Sequence, residues 1–347
     1  MVKNIVGKNI PILGCILLSA SNNKLQLATT NLEIYMQHSL SAEIEKEGQI
    51  AIPTKLLSDF VEKLPDGDIH LELNKDILEI KCKGFKSKIN GLDAKNFPVV
   101  PEEPTSEFVS MKNNILKDAL QKVVNMASKS EARPEIGGIF VNSKEGIINF
   151  VATDSFRLSE QSIESSVNLG SFILPQQSTY ELIKILNTNE DKEIKIFLTS
   201  GQALFDNGNT QLFARLIDGQ YPDYKGIIPK DFQANIVVDR NDLINNITIA
   251  SLFSEKTNEI ELDIDSNQSI IKVSSASSDK GQNESELKAD IDGISSKIYF
   301  NYQYILDGLN NIFSDKVNIS IEKDSLKTII SPIGDKSYIY LAMPLKK

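Results

Sequence analysis

The chain has 347 residues, 41% hydrophobic and 24% charged, with a formal net charge of −10 and a pI of about 5.0. That length exceeds what one hydrophobic core fills and implies two or three domains. The acidic average argues against a general nucleic-acid coat while leaving room for a local basic surface. Two cysteines, Cys15 and Cys82, and two histidines, His38 and His70, stand too far apart for a His/Cys metal site, so no cofactor is expected. No run approaches the roughly 18 apolar residues of a membrane span.

In chain order, "IPILGCILLSA" (10–20) comes first, and its Leu13-Gly14-Cys15 looks like a lipoprotein cleavage site. Only Ile10–Leu13 precede the cysteine, short of the roughly 7–15 apolar residues such a segment uses, so 10–20 reads as a strand and the expected compartment is the cytoplasm. "NNKLQLATTNLEIYM" (22–36) opens on a turn, alternates apolar and polar residues, and reaches a small-residue step at Thr30. "IPTKLLSDFVEKL" (52–64) is a strand end running into a helix with Leu56, Leu57, Phe60 and Leu64 on one face. A Pro-rich joint follows at 98–106. "NNILKDALQKVVNMAS" (113–128) is an amphipathic helix with Ile115, Leu116, Ala119, Leu120, Val123 and Val124 on one side.

The pattern then returns. "EGIINFVATDSFRLS" (145–159) repeats 22–36, "LPQQSTYELIKIL" (174–186) repeats 52–64, and "NQSIIKVSSASSDKG" (267–281) and "FNYQYILDGLNNI" (300–312) repeat both again. Thr30 and Thr153 are 123 residues apart, Pro53 and Pro175 are 122 apart, and Pro98, Pro222 and Pro344 are spaced by 124 and 122. Agreement this close marks a threefold repeat of about 120 residues. The expected domains are 1–105, 106–229 and 230–347, joined at 98–106 and 222–229. Each is α+β with antiparallel sheets, read as a helix, a strand pair, a second helix and another strand set. Shifted back by one repeat, the 113–128 helix would begin before residue 1. Domain 1 is therefore expected to be N-terminally incomplete, with "MVKNIVG" matching only that helix's tail.

One stretch invites a catalytic reading: in "TDSFRLS", Ser155 sits between Asp154 and Arg157. A nucleophilic serine needs a base, and both histidines lie in the first domain. No G-x-x-x-x-G-K phosphate loop occurs either. By the repeat, Asp154 corresponds to Asn31, and Ser155 and Arg157 to Leu32 and Ile34.

Taken in order, "PILG", "KLPDGDI", "INGLDAKNFP", "EARPEIGGIFV", "VATDSFRLS", "RLIDGQYPDY", "FNYQYILDGL" and "YLAMPLKK" resemble the bacterial DNA polymerase III beta subunit family, the β sliding clamps or processivity factors. The resemblance runs from about residue 2 to the C-terminus. It implies a DNA-clamp fold of three similar domains, each with two helices packed on antiparallel sheets, two chains closing head to tail into a homodimeric ring. The ring would encircle duplex DNA without sequence preference and tether polymerase subunits, the clamp loader and repair proteins through short linear peptides, with no catalysis and no membrane.

Carried over residue by residue, the resemblance implies a client-peptide groove of Ile136, Thr153, Ser155, Phe156, Arg157, Leu158, Pro222, Ile227, Leu326, Thr328, Met343, Pro344 and Leu345. In it, Arg157 and Thr153 would orient the peptide. Phe156 stands where the family often has His, and Gly226 where it often has Arg, so the groove should be more apolar than usual. DNA-facing candidates are Lys8, Lys55, Lys117, Lys122, Lys129 and Arg133, while Gln176 and Gln177 occupy positions the family often makes basic. For ring closure the implied residues are Lys86, Lys88 and Ile89 in the basic "KCKGFKSKI" (81–89), Glu284 and Glu286 in the acidic "DKGQNESELKADID" (279–292), and Leu252 and Phe253. Two other readings stay open: a clamp-fold peptide scaffold that does not close on DNA, and a hydrolase using Ser155.

Overall fold

The strands alternate apolar and polar residues and meet at turns made of Asn, Asp, Gly and Lys, so the chain builds antiparallel sheets almost throughout. A computed structural model describes residues 2–7, 10–101, 104, 107–188 and 191–346. Two short 3-10 turns, Val2–Asn4 and Pro11–Gly14, lead into the first repeat. It contains β1 (Cys15–Ser21), β2 (Lys24–Thr30), β3 (Ile34–Ser41), β4 (Gly48–Pro53), α1 (Thr54–Val61), β5 (His70–Asn74), β6 (Ile77–Cys82) and β7 (Phe85–Asn90). The second holds β8 (Val109–Lys112), α2 (Asn113–Val124), β9 (Gly138–Lys144), β10 (Ile147–Thr153), β11 (Arg157–Glu164), β12 (Ser171–Pro175), α3 (Gln176–Leu186), β13 (Glu193–Leu198), β14 (Gln202–Asp206) and β15 (Thr210–Arg215). The third holds β16 (Phe232–Asp239), α4 (Arg240–Ser251), β17 (Glu259–Asp265), β18 (Ile270–Ser277), β19 (Gly281–Gly293), β20 (Ser296–Asn301), α5 (Tyr302–Asn310), β21 (Lys316–Glu322), β22 (Thr328–Pro332) and β23 (Tyr338–Ala342).

The second and third repeats thus run strand, helix, four strands, helix, three strands, which corrects the helix–strand-pair order expected from the sequence. In the first repeat, among the described residues, α1 is the only α-helix. The strand expected over 10–20 begins at Cys15, after the Pro11 turn. The helix expected over 52–64 ends at Val61, and a tight last turn leads to Pro65. The 113–128 helix stops at Val124.

Packing divides the chain differently from the repeat. One compact unit comprises 1–117 and 177–216, the other 118–176 and 217–347. The cause is in the sheets. In the first unit, β4-β1-β2-β3 continues across the β3–β15 pair into β15-β14-β13-β8, so strands of two repeats share one eight-stranded sheet. In the second unit, β12-β9-β10-β11 continues across β11–β23 into β23-β22-β21-β16, then β19-β18-β17-β20. The strands β5-β6-β7 form a separate three-stranded sheet in the first unit.

Apolar alternation makes the cores. In the first unit Cys15, Leu17, Ala28, Tyr35, Ala51, Phe97, Leu204 and Phe213 pack together, with Tyr35 edge-on to Phe213 at 5.7 Å. In the second unit Asp239 caps α4 by accepting from the Asn241 and Asp242 amides, and Asn301 caps α5 through the Gln303 amide, each worth about 1 kcal/mol. Gly308, inside α5, lies so close to the Tyr340 ring that any Cβ there would collide with it. Both cysteines are buried free thiols.

Candidate functional site

The peptide groove expected from the sequence falls entirely within the second unit, and its geometry starts from the turn in "TDSFRLS". Asp154 Oδ1 accepts from the amides of Phe156 and Arg157, both at 3.0 Å. Thr153 Oγ1 donates to the Arg157 carbonyl at 2.7 Å and accepts from the Ser155 amide at 3.1 Å. The same turn stands at Thr30–Ile34, where Asn31 and Thr30 make the corresponding bonds. Ser155 and Leu32 both hold the left-handed φ of 78°. The backbone at Ser155 therefore belongs to the repeat and not to a nucleophile elbow. Its hydroxyl accepts from Arg133 Nη1 at 3.2 Å.

Arg157 begins β11 and turns its guanidinium inward. Nε bonds Asp154 Oδ2 at 2.9 Å, Nη1 pairs with Asp307, and the group lies 4.6 Å over the Tyr304 ring. Burial opposes its charge, but Tyr340, Asp307 and Asp154 outweigh that and hold the guanidinium firmly protonated. Next to it Phe156 is 59% exposed and stacks on the other partner of this group, Tyr304, at 6.4 Å. The C-terminal strand closes the wall: β23 pairs with β11, Met343 N donates to the Phe156 carbonyl, and Leu345 N donates to Tyr299 O.

Beneath lies an apolar floor of Ile136, Val151, Leu158, Ile173, Tyr221, Tyr224 and Leu341, against which Phe140, Ile217, Ile228 and Met343 pack. Phe140 stacks flat on Tyr221 at 4.7 Å, and Tyr224 meets both rings edge-on. Phe156 and Ile227 are exposed, and Pro222, Met343, Pro344 and Leu345 are half-buried.

Several expectations need correction. Ile136 and Leu158 are buried and belong to the floor on which Met343 packs. Thr153 spends its hydroxyl on the turn, and Arg157 commits Nε to Asp154 and Nη1 to Asp307. Thr328 is buried, donates to Leu326 O, and lines a small internal void with Ile236, Ile298, Phe300, Ile319 and Ile321. It faces the core of the third repeat. Leu326, half-buried in the turn before β22, has a left-handed φ of 54°. Sequence reasoning missed Tyr304, Asp307, Tyr221 and Tyr224. The tyrosines at three-residue spacing in "QYPDYKG" were the available signal for two of them.

Glu160, the partner of Tyr224, carries a titration. The Tyr224 hydroxyl donates to Glu160 Oε1 at 3.0 Å. Burial pushes the Glu160 carboxyl above its ordinary value, against the opposing pull of the Tyr224 bond and Lys225. A carboxyl raised in the fold stabilises it below the unfolded pKa and loses that contribution as pH rises through the folded value. Glu160→Gln keeps the acceptor for Tyr224 without the buried charge. It is expected to raise the thermal midpoint at pH 8 and leave it nearly unchanged at pH 4, as calorimetry at the two pH values would show.

Of the basic candidates in the first unit, Lys55 is exposed on α1 and Lys117 is half-buried. In the second unit Lys129 is exposed, whereas Arg133 pairs with Glu135 at 3.0 Å. Lys122 leaves the DNA-facing set: its ammonium bonds Gln161 Oε1 at 2.8 Å and lies over the Tyr338 ring. Gln176 Nε2 donates to Val124 O, and Gln177 is exposed. Lys8 lies outside the described residues.

Among the closure candidates, Lys88 and Lys86 both reach Glu79, at 2.6 and 3.7 Å, and Glu286 pairs with Lys272 at 3.0 Å. Ile89 is buried, which corrects its place at an interface, while Leu252 is 66% exposed, Phe253 half-buried and Glu284 exposed. No cluster of three or more His, Cys, Asp or Glu residues able to hold a metal occurs among the described residues. Nor is any helix among them long and apolar enough to cross a membrane.

Comparison with known proteins gives matches along the whole chain. Profiles of the DNA polymerase III beta subunit match in order: its N-terminal domain over residues 2–101, its central domain over 110–223 and its C-terminal domain over 225–346. The beta sliding clamp of Synechococcus elongatus is 28% identical over 347 residues, covering 97% of this chain and 92% of the relative. That of Staphylococcus aureus is 27% identical over 349 residues, with the same coverage. Among solved structures, the DNA polymerase sliding clamp of Bacillus subtilis superposes with a TM-score of 0.94 at 26% identity, covering 100% of this chain and 95% of that one. The DNA polymerase III subunit beta of Pseudomonas aeruginosa gives 0.93 at 24% identity, covering 99% and 96%, a likeness of fold.

Proposed function

The chain belongs to the DNA polymerase III beta subunit family, and from that membership we propose that it works as a ring around duplex DNA. As a sliding clamp it is a non-catalytic processivity factor of the polymerase. The observation that carries the reading is the ordered match of all three domains. It is supported by the ordinary repeat turn that holds Ser155, whose hydroxyl accepts from Arg133. The repeats take the boundaries 1–105, 106–229 and 230–347, and the compartment is the cytoplasm, where the replication machinery works.

Strand edges support head-to-tail closure. The pairs β3–β15 and β11–β23 join one repeat to the next in the same manner. By the same rule the last strand of the first repeat, β7, and the corresponding strand of the third, β19, should seek each other in different copies. Among the described strands β7 pairs only with β6, and Gly281–Lys288 of β19 only with β18. Glu79 offsets one of the two charges of Lys86 and Lys88, so main-chain bonds and Leu252 with Phe253 carry more of the closure than the remaining exposed charge does. Salt should therefore weaken it only modestly.

Polymerase subunits, the clamp loader and repair proteins dock by short peptides on Phe156, Pro222, Ile227, Met343, Pro344 and Leu345. Lys55, Lys117, Lys129 and Arg133 give the channel a weak, sequence-independent attraction that permits sliding. Gel filtration after loading by a clamp-loading ATPase should retain the protein on nicked circular DNA and release it when that DNA is cut. Equal retention on cut DNA would mean direct adhesion and end the topological reading. Release from both, with a native mass of one chain, would favour an open peptide scaffold.

A further inference from the structure

The chain carries five methionines and two cysteines, and the fold does not treat their sulfurs alike. Met36, Met111 and Met126 are 1%, 6% and 0% exposed and belong to the cores. Cys15 and Cys82 are buried as well, each at 3%. Met1 lies outside the described residues. Among the described sulfur side chains, Met343 alone is half-buried. It packs on the floor that contains Ile136, Leu158, Tyr221 and Tyr224 while part of its surface stays open. Its amide donates to the Phe156 carbonyl at 2.8 Å, which holds the main chain in place whatever the side chain becomes. The one accessible thioether of the described chain therefore sits in the surface assigned above to client peptides.

Given that this surface is the client groove, we propose that Met343 is an oxidation site whose conversion to the sulfoxide by a peroxide lowers the affinity for client peptides. A thioether differs from other apolar side chains in taking up an oxygen atom reversibly. A lone pair on Sδ attacks one oxygen of hydrogen peroxide, the O–O bond breaks and an S–O bond forms. The proton of that oxygen passes to the departing hydroxide, and water leaves. Sulfur is oxidised by two electrons and the peroxide is reduced by the same two. A thiol-dependent reductase reverses the change, releasing the oxygen as water while its thiol pair becomes a disulfide. The product puts a strongly polar S–O group where a polarizable apolar sulfur had been. An apolar peptide side chain seated there must strip water from that oxygen without replacing the lost hydrogen bonds, so binding weakens. Peroxide reaches Met36, Met111 and Met126 only when the cores open, which keeps the reaction local to the groove. A bound peptide covers Met343, so occupancy should also slow its oxidation.

The test treats the full-length protein with hydrogen peroxide and maps it by proteolysis and mass spectrometry, reading the gain of one oxygen at each methionine. Met343 should convert about tenfold faster or more than Met36, Met111 and Met126. A saturating peptide of the form Gln-x-x-Leu-x-Leu should slow that conversion. Once Met343 is oxidised, the affinity for the same peptide should fall about tenfold or more by fluorescence anisotropy. A thiol-dependent methionine sulfoxide reductase should then restore it, a recovery that damage to the fold does not imitate. In Met343→Leu, peroxide should leave the affinity at whatever value that variant starts from. Equal rates at the four described methionines overturn the proposal. So does an oxidised chain that binds the peptide as before, or a Met343→Leu variant that still loses affinity in peroxide. Failure of the untreated chain to bind the peptide sinks the groove reading and the affinity switch with it, while the mass map reports the reactivity of Met343 independently.

Discussion

A fluorescent peptide of the form Gln-x-x-Leu-x-Leu should bind this chain saturably, and replacing Met343 and Leu345 together by Ala should weaken it by about 30-fold or more. The estimate rests on what the two side chains do. Met343 packs on the cluster of Ile136, Leu158, Tyr221 and Tyr224, and half-buried Leu345 follows it two residues on, held by its amide on the Tyr299 carbonyl. Truncating an anchor in such a pocket costs about 1–2 kcal/mol, and 1.4 kcal/mol is tenfold in affinity. The backbone bonds from Met343 N to Phe156 O and from Leu345 N to Tyr299 O survive the change, so the tail keeps its path. Fluorescence anisotropy at fixed peptide measures the loss, and an unchanged unfolding midpoint would confirm that only the surface was altered. Unaltered affinity would put the peptide elsewhere on the chain. Because the Thr153 hydroxyl and the Nε and Nη1 groups of Arg157 are already bonded within the chain, apolar positions of the peptide should matter more here than the Gln.

The repeat was legible because it rests on local chemistry that any copy must satisfy. Thr30–Asn31 and Thr153–Asp154 build the same turn with the same side-chain acceptors, and a sequence shows such residues directly. Pro53 and Pro175 likewise mark the starts of α1 and α3. What could not be read were interactions set by long-range register. Asp307 meets Arg157 across 150 residues of chain, so Arg157 looked like a surface cation free for a ligand. Lys86 and Lys88 looked like unspent charge until the β6–β7 register placed Lys88 opposite Glu79. Thr328 followed from an alignment, but strand alternation turned it inward, since a shift of one residue exchanges the two faces of a strand. The two compact units, too, follow from sheets that cross repeat boundaries, and composition carries no mark of that.

Arg157→Ala should destabilise the protein by about 2–4 kcal/mol, the largest effect of any single charge described above. Its side chain is 13% exposed, and it holds Asp154 at 18% and Asp307 at 43%. Removing the cation leaves Asp154 as a largely desolvated carboxylate whose other oxygen is already committed to the Phe156 and Arg157 amides. Asp307 can turn to water, so its loss of partner costs little. The two pairs should therefore separate in double-mutant cycles. Coupling between Arg157 and Asp154 should exceed that between Arg157 and Asp307 by about 1 kcal/mol. Asp154→Asn is the informative partner, because it keeps the Oδ1 acceptor of the turn and removes only the charge. Salt offers a second discrimination: a buried pair is poorly screened, so 1 M NaCl should leave most of the Arg157 contribution in place. A total cost under about 1 kcal/mol in urea unfolding would show that water reaches the guanidinium well enough to replace both carboxylates. Arg157 would then hold the groove wall through its 4.6 Å contact with the Tyr304 ring alone.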